Sequence, residues 1–547
     1  MSVPSGPLTC VGTTNGGPLA VVDGHGGVHD LDGAWSIDWW AGADDRWHLA
    51  GEEAAVRRRL VDATPVVETA MRIPTGDAVA RAYGARLAGV AHDLVALEVA
   101  NETTLPFALA VVLHAGAVRV DGSVAVLDGS ATVRFARPPS RVFCGVDVAT
   151  VRTGVLAGDA VEPAGAVEAP VVALLFPLAH TARLRATLVT ADETGADAAG
   201  AAEDAVGETP EADQVARGWR AQLDRGVALR LPDERLTAAV DLARAEVLLA
   251  AGGTLDRAGS DQLAALLEAL AHQGFVDEAW GVAGELLDRQ HLNGRFGRGA
   301  AGRQVTVAVL RALGALAGTH VGAELGERVA GPVAKAAHRA AKDDEPGAAD
   351  ALEAAAALLR AADQPDAAAV SERAAAKRRP ASPPVEPLDR LVAPGPVLGT
   401  DTGDGEAAAD APSGGPRPAG EGVGLRYAVP AAALLARVRP GLVDHSSRAG
   451  TGPSLDLFAG FPSAWLGQSV EVHEAPTRFG SLSCAVRWHG ARPALLWDLQ
   501  PPEGRAVPAG LTLRAPALDP SWSTTEPRGE ALLAEPAPPP NLAGSFS

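Results

Sequence analysis

The sequence predicts a multidomain β + α protein: a large antiparallel β-sandwich, then an array of helical hairpins, then a small C-terminal β-domain. Two observations predict this order. Residues 1–225 contain many short Val- and Leu-rich segments separated by Gly, Asp, Asn and Pro, as in antiparallel strands. Between Pro232 and Lys377 the apolar residues recur at helical spacing instead, and from Ser454 the strand pattern returns.

Composition and charge narrow the functional classes. The 547 residues are 47% apolar and 21% charged, which is typical of a globular chain with several domains. The formal net charge of −20 disfavours nucleic-acid and membrane-surface partners. The three cysteines lie far apart, without metal-type spacing, and the N-terminus lacks the pattern of a secretory signal. We therefore expect a cytoplasmic protein without a metal or another cofactor.

In the β-sandwich, predicted for residues 1–225, the densest group of aromatic side chains is the segment WSIDWWAGADDRWH. Its tryptophans lie beside three aspartates and a histidine. Sugar rings stack on indole faces while their hydroxyls seek carboxylate acceptors, so Trp39 and Trp40 are candidate carbohydrate-binding residues. The alternative is that these tryptophans fill the core of the sandwich or its junction with the helices.

A short polar segment precedes these tryptophans. It carries side chains of the types that bind metals, namely Asp23, His25, His29 and Asp30. Three glycines among them, Gly24, Gly26 and Gly27, favour a tight turn between two strands. The segment is therefore predicted to be a turn, and no metal site is assigned to it.

The helical domain is predicted for residues 226–379, where helices of about a dozen residues leave room for about seven or eight of them. In the segment SDQLAALLEALAHQG, Ser260 is the predicted N-cap and Gly274 the predicted stop. The next helix begins with acidic residues and is predicted to run to Asn293-Gly294.

The rest of the chain is predicted in four parts. Residues 380–424, rich in Pro, Gly, Ala and acids, are predicted to be a disordered linker. Residues 425–446 are predicted to return to a helix, 447–535 to form the C-terminal β-domain, and 536–547 to form a loose tail.

Three segments carry a resemblance to a known family. The opening β-hairpins of that family's N-terminal domain resemble the segment TNGGPLAVVDGHGGVHDL. The family's helix that begins with an Arg-Asp pair is similar to the segment GSDQLAALLEALAHQGFVDEAWGVAGELLDRQHLNGRF. The C-terminal β-domain of related bacterial enzymes resembles the segment FAGFPSAWLGQSVEVHEAPTRFGSLSCAVRWHG. The chain thus resembles the six-hairpin glycosidases, the glucoamylase-like glycoside hydrolases. The resemblance implies a β-super-sandwich followed by an α/α hairpin toroid, and inverting hydrolysis of glycosides.

The chain also departs from that family. The predicted helices are too few for a closed ring of hairpins, so we expect an incomplete toroid. The Arg-Asp pair that holds a sugar in the family is here Ser260-Asp261. Where the family presents an acidic, Trp-containing loop, this chain has Arg298 and Arg303 and no carboxylate.

Inverting hydrolysis needs two carboxylates about 6.5–9.5 Å apart and usually aromatic walls for the sugar. Residues 227–377 contain only three aromatic side chains: Phe275, Trp280 and Phe296. No catalytic residue is assigned. In the helical domain the candidate substrate-binding residues are Asp261, Arg289, Asn293 and Phe296, with a dipole partner in the first helical turn as the alternative role for Asp261.

These observations favour a glycoside hydrolase-like protein that binds a carbohydrate and has eroded or absent hydrolytic activity. Two alternatives stay open. One is an active inverting α-glycosidase of the glucoamylase type, with Asp261 in the sugar subsite. The other is a non-catalytic interaction scaffold. The expected partner is an oligosaccharide or another glycan. The sequence assigns neither the sugar, the linkage nor the oligomeric state.

Overall fold

The computed structural model describes residues 8–87, 93–190, 209–256, 258–318, 323–343, 345–378, 388, 423–444, 453–502 and 504–536. They belong to two compact units. The β unit holds the chain up to Ala221, and the helical unit holds most of the chain from Gln222 onward. The predicted order of a large antiparallel sheet, then helices, then small β-sheets is confirmed. Among the described helices, none is long and apolar enough to cross a membrane.

The β unit contains one sheet of fifteen antiparallel strands among its described residues. The strands follow the order β1-β2-β3-β4-β10-β11-β12-β15-β9-β8-β7-β6, with β5 paired to β4, β14 paired to β10, and β13 paired to β14. Their bounds are β1 Thr9–Thr13, β2 Gly17–Val22, β3 Val28–His29, β4 Ser36–Gly42, β5 Trp47–Leu49, β6 Val56–Leu60, β7 Val66–Ile73, β8 Gly76–Arg86, β9 Asp93–Thr103, β10 Phe107–Asp121, β11 Val124–Leu127, β12 Ala131–Phe135, β13 Arg141–Gly145, β14 Val167–Leu178 and β15 Arg183–Thr190.

Strand β4 is buried on both faces. Side chains alternate along a strand, so Ile37, Trp39 and Ala41 enter the main core of the β unit. Trp40 faces the other way and packs in a second cluster with Val151 and other apolar residues. This position of β4, between two apolar layers, explains why its sequence is so rich in tryptophan.

A helix that the sequence analysis missed covers this second face. Helix α1, Val148–Ala157, is capped by the Asp147 side chain, which accepts a hydrogen bond from the N–H of Thr150, and ends at Gly158 with φ +80°. The prediction of strands alone between residues 1 and 225 is wrong here and at α2, Ala212–Leu223. Helix α1 is short and carries three valines and two threonines, which favour strands when read locally.

The helical unit has seven described helices between Pro232 and Lys377, in agreement with the predicted seven or eight. They are α3 Glu234–Gly252, α4 Ser260–His272, α5 Val276–Asp288, α6 Ala301–Gly314, α7 Ala323–Ala340, α8 Ala348–Ala361 and α9 Pro365–Ala376. The predicted returning helix is α10, Val423–Leu442. Most of the predicted linker 380–424 and residues 537–547 of the predicted tail lie outside the described residues.

Two helix ends differ from prediction. The N-cap of α4 is Gly259 rather than Ser260, because the Gln262 side chain accepts a hydrogen bond of 2.9 Å from the N–H of Gly259. Helix α5 ends at Asp288, well before Asn293.

Two small sheets complete the helical unit. The five-stranded sheet contains β16 Ala228–Arg230, β19 Val470–Thr477, β20 Gly480–His489, β21 Arg492–Gln500 and β24 Arg528–Leu532; the four-stranded sheet contains β17 Val443–Asp444, β18 Ser454–Leu457, β22 Thr512–Ala515 and β23 Asp519–Thr524. Strand β16 precedes all the helices from α3 onward, yet it pairs with β19, which follows them. The segments on either side of the helices therefore share one sheet.

Candidate functional site

The structure gives the four candidate substrate-binding residues of the helical domain different roles. Asp261 is exposed in the first turn of α4. The guanidinium of Arg289 donates hydrogen bonds to the carbonyls of Ala258 and, at 2.7 Å, Leu255. Arg289 therefore fastens the loop that precedes α4.

The other two helical candidates belong to a turn and to the core. Asn293 is exposed, and its side-chain oxygen accepts a hydrogen bond of 3.0 Å from the N–H of Arg295. Phe296 is 3% exposed, so its ring packs inside the unit and does not present a face to solvent.

One of the cavities described in the helical unit is lined by other residues. This helical cavity of about 250 Å³ takes its polar side chains from Glu268, His272, Arg311, Glu353, Arg439 and Arg478. The residues that line it include no Phe, Tyr or Trp. A wall for stacking a sugar is therefore absent among the described residues of this cavity.

The acids of the helical cavity lie beside arginines. Arg311 donates hydrogen bonds of 3.0–3.2 Å to both carboxylate oxygens of Glu268. Glu353 lies 3.9 Å from Arg478. Burial, aided by Arg439 and Arg311 and opposed by Glu268, lowers the pKa of His272 to about 4. At neutral pH the histidine is uncharged, and Glu268 is engaged by its arginine.

A second cavity, in the β unit, brings together groups that the sequence keeps apart. This cavity of about 300 Å³, the Asp38 pocket, takes its polar and aromatic lining from Asp23, His25, Asp38, Trp39, Trp40, Glu52 and Arg152. Asp38 and Trp40 come from one face of β4, because they are two residues apart on the strand. Trp39 lies on the opposite face of β4 and is 2% exposed in the core.

The turn between β2 and β3 supplies Asp23 in a fixed orientation. Its Oδ1 accepts hydrogen bonds of 2.9 Å from the N–H groups of His25 and Gly27, and its Oδ2 lies 3.1 Å from Nε2 of His29. Burial raises the pKa of Asp23, but these hydrogen bonds outweigh burial and hold the pKa below its ordinary value. Asp23 is therefore an ionised group whose oxygens are occupied.

Asp38 is the opposite case. Its carboxyl is partly exposed to the cavity, and none of the described residues forms a hydrogen bond or an ion pair with it. Burial and the neighbouring charge of Asp23 raise the pKa of Asp38 to about 6, with His29 and His25 opposing in part. Two nearby carboxyls thus have pKa values moved in opposite directions, a pattern common at functional sites.

Gly27 makes this convergence possible. A β-carbon at this position would lie 2.8 Å from Oδ1 of Asp38, 3.1 Å from Nε2 of His29 and 3.3 Å from Oδ1 of Asp23. Any other residue would push these groups apart. The backbone of Gly27 therefore leaves open the space around which the three side chains meet.

The rim of the pocket is a salt bridge. Arg152 of α1 contacts both oxygens of Glu52, one of them at 2.8 Å, so that each neutralises the other. Within the described ranges, no three His, Cys, Asp or Glu side chains are placed to hold a metal ion. Asp23 and His29 are a hydrogen-bonded pair, and the segment between them is a turn, as predicted.

The sequence analysis noted the aspartate at position 38 among the tryptophans but chose only tryptophans of this segment as candidate binding residues. The signal that identifies it is a carboxyl in the middle of a strand whose neighbours on both faces are apolar, since a buried charge is kept only where it has a use.

Comparisons with known proteins give distant structural likenesses. No protein-family model matches the chain, and no curated protein matches it. Among solved structures, a bacterial glucoamylase complexed with acarbose matches 68% of this chain with a TM-score of 0.46 and 9% identity. A family GH92 inverting mannosidase from Bacteroides thetaiotaomicron matches 69% with a TM-score of 0.37 and 12% identity. A putative kojibiose phosphorylase from human microbiome matches 60% with a TM-score of 0.31 and 7% identity.

These neighbours are of the class to which the sequence resemblance pointed, namely glycoside hydrolases and a phosphorylase. This chain spans 66%, 61% and 56% of their respective lengths, which is less than two thirds in each case. At identities of 12% or less they assign no activity to this chain.

Proposed function

We propose that the protein binds a carbohydrate in the Asp38 pocket and that its helical unit does not hydrolyse glycosides. The observation that carries the proposal is the meeting of Trp40 with Asp38 and Asp23 in the lining of one cavity of about 300 Å³. A sugar presents apolar C–H faces together with hydroxyl groups, and such a lining offers a partner to both.

The size of the pocket supports a small ligand or the end of a longer one. Ligand cavities are commonly about 300–1,000 Å³, and the Asp38 pocket lies at the lower limit of that range. Asp38 is the carboxyl of this lining that accepts no hydrogen bond from a described residue, whereas each oxygen of Asp23 and Glu52 accepts at least one. Asp38 is therefore the proposed contact for a ligand hydroxyl or another donor.

The helical cavity supports the second part of the proposal. A general acid must carry a proton to the leaving group, whereas both oxygens of Glu268 accept hydrogen bonds from Arg311. The aromatic candidate Phe296 is buried, and Arg289 is bonded to backbone carbonyls. In the Asp38 pocket, both oxygens of Asp23 already accept hydrogen bonds.

The test is calorimetric titration of the purified chain with neutral, acidic and amino oligosaccharides. We expect binding by at least one class and at least tenfold weaker binding after Asp38→Asn, since a carboxylate–ligand hydrogen bond is worth about 1.5–3 kcal/mol. Asp44→Asn is the matched control, because Asp44 is an exposed aspartate of the same segment that does not line the pocket. Binding that is unchanged by Asp38→Asn would contradict the proposed site.

Hydrolysis is tested separately by incubating the chain with maltose, trehalose and glucosyl oligosaccharides and measuring released reducing sugar. We expect no turnover above that of a heat-inactivated sample. Turnover that disappears in Asp261→Ala or Glu268→Gln would show an active glycosidase and overturn this part of the proposal.

A further inference from the structure

The charges that line the Asp38 pocket do not balance. Three carboxylates, Asp23, Asp38 and Glu52, face one guanidinium, that of Arg152. Arg152 is paired with Glu52, and Asp23 is held by three hydrogen bonds. No described group contacts Asp38 directly and neutralises its negative charge.

An ionised carboxyl removed from water is costly unless a cation or several donors reach it. Of the two histidines near Asp38, His29 is already bonded to Asp23. A ligand in the cavity can therefore supply the donors and the positive charge that none of the described residues gives Asp38 by direct contact. A primary ammonium group, with one positive charge and three N–H donors, fits a compact site of this kind better than a neutral hydroxyl does.

The position of the neighbouring groups also favours a small cation. Gly27 has no side chain to crowd Oδ1 of Asp38, and Trp40 lines the same cavity. Indole rings attract cations as well as apolar sugar faces. The Arg152 guanidinium would repel a second cation, but it is held at the rim by Glu52.

We propose that the carbohydrate bound in the Asp38 pocket is an amino sugar whose protonated amine pairs with Asp38. This inference rests on the proposed function, because it names the class of sugar that the same pocket takes. It also explains why the pocket keeps a carboxyl without a protein partner: the partner arrives with the ligand.

Binding of such a ligand depends on pH in a defined direction. The groups that face Asp38 are Asp23, His25 and His29 from the β2–β3 turn, Glu52 from the loop after β5 and Arg152 from α1, while His114 of β10 lies opposite Ser36 on the same sheet face. The pKa of Asp38 is about 6 in the empty pocket. Affinity for an ammonium group therefore falls as the pH drops through 6, because the carboxyl of Asp38 gains a proton and loses its negative charge.

The experiment titrates the full chain with glucosamine, galactosamine and mannosamine, with their N-acetylated forms, with glucose and with ethanolamine, at pH 7.0 and pH 5.0. We expect at least one amino sugar to bind at least tenfold more tightly than its N-acetylated form and than glucose. The same amino sugar should bind about tenfold more weakly at pH 5.0, since about one carboxyl in ten with a pKa near 6 is ionised there. Asp38→Asn should abolish both differences.

The other outcomes separate the two proposals. Equal affinity for glucose and for the amino sugars would overturn the amine pairing and leave carbohydrate binding in place. Ethanolamine binding as tightly as the amino sugars would show a site for simple amines and overturn the carbohydrate proposal. If neither these compounds nor the oligosaccharides bind, both the amine pairing and the carbohydrate proposal are overturned. The pH comparison uses the unmodified chain, so it does not depend on the folding of a variant.

Discussion

The helical cavity and the Asp38 pocket contain similar side chains but arrange their charges differently. In the helical cavity, Glu268 and Glu353 each lie beside an arginine, at distances of 3.0 Å and 3.9 Å. In the Asp38 pocket, Asp38 has no such partner among the described residues and its pKa is raised to about 6. A carboxylate that is paired with an arginine already has its charge neutralised by the protein, whereas a carboxylate without such a partner can be neutralised by a bound ligand. The comparison therefore supports the proposal that a ligand binds in the β unit.

The largest expected effect concerns the wall of the Asp38 pocket. Trp40→Ala removes a ring that is 5% exposed and packed in the second cluster of the β unit, and should lower the free energy of unfolding by about 3–5 kcal/mol. Urea denaturation measures this change. Trp488→Ala, at a partly exposed position in the helical unit, should cost less. A loss at Trp40 no greater than at Trp488 would show that the pocket wall is not part of the core.

The second prediction concerns the buried histidine of the helical cavity. His272 titrates near 4 in the folded protein and near 6.5 when unfolded, so the unfolded chain binds the proton more readily. Its stabilising contribution is complete above pH 6.5 and is lost as the pH falls toward 4, by about 2 kcal/mol. Urea denaturation of wild type and His272→Gln between pH 7 and pH 4 measures it. The variant should lose less stability on acidification; a parallel decline would contradict the lowered pKa.

The third prediction tests the open space at Gly27. Gly27→Ala places a methyl group 2.8 Å from the Asp38 carboxylate and should cost about 1–3 kcal/mol of stability while weakening ligand binding at least tenfold. Gly51→Ala is a control in the same pocket, because a β-carbon there meets no atom within 4 Å. Equal binding by both variants would show that the convergence at Gly27 has no role in recognition.

The fourth prediction has the opposite pH direction from the second. Because the folded pKa of Asp38 lies above its ordinary value of 3.8, its charge destabilises the fold as the pH rises through 6. Asp38→Asn should therefore stabilise the empty protein by about 1–2 kcal/mol at pH 7, and the gain should vanish near pH 4. Denaturant titrations at the two pH values measure the gain. A variant less stable than wild type at pH 7 would mean that Asp38 is a structural group.

The smallest expected effect comes from the paired acid of the helical cavity. Glu268→Gln at pH 7 should destabilise the protein by about 0.5 kcal/mol, because it weakens a salt bridge whose arginine is largely exposed. The sign is opposite to that of Asp38→Asn under the same conditions, measured by the same denaturant titration. A stabilising Glu268→Gln would remove the distinction between the two cavities.

The sequence predicted the parts of the molecule that depend on local periodicity. The apolar spacing of residues 260–272 identified α4, and only its first residue was misassigned, because the Gln262 side chain and not Ser260 caps the helix. The glycines after Asp23 identified the turn before β3. Helix α1 was missed because its valines and threonines favour a strand, whereas its Asp147 cap and its packing against β13 and β14 stabilise it as a helix.

The candidate site was predictable only in part. Trp40 was selected for its ring, and it does line a cavity. Asp23 and Asp38 lie close together because β3 pairs with β4 and because Gly27 has no side chain. A contact of this kind cannot be predicted from the periodicity of apolar residues along the sequence. Trp39, one residue from Trp40, also lines the cavity but packs in the main core, since the face to which each residue of a strand points is set by the sheet.

The pairing of β16 with β19 has a consequence for how the chain matures. Residues 228–230 form their ladder with residues 471–473, so the intervening helices are enclosed in a loop closed late in synthesis. Contacts between such distant segments form slowly, and the first of these strands has no mate until the second has left the ribosome. A nascent chain halted after α9 would expose the unpaired edge of β16, and such an edge can pair with strands of other chains.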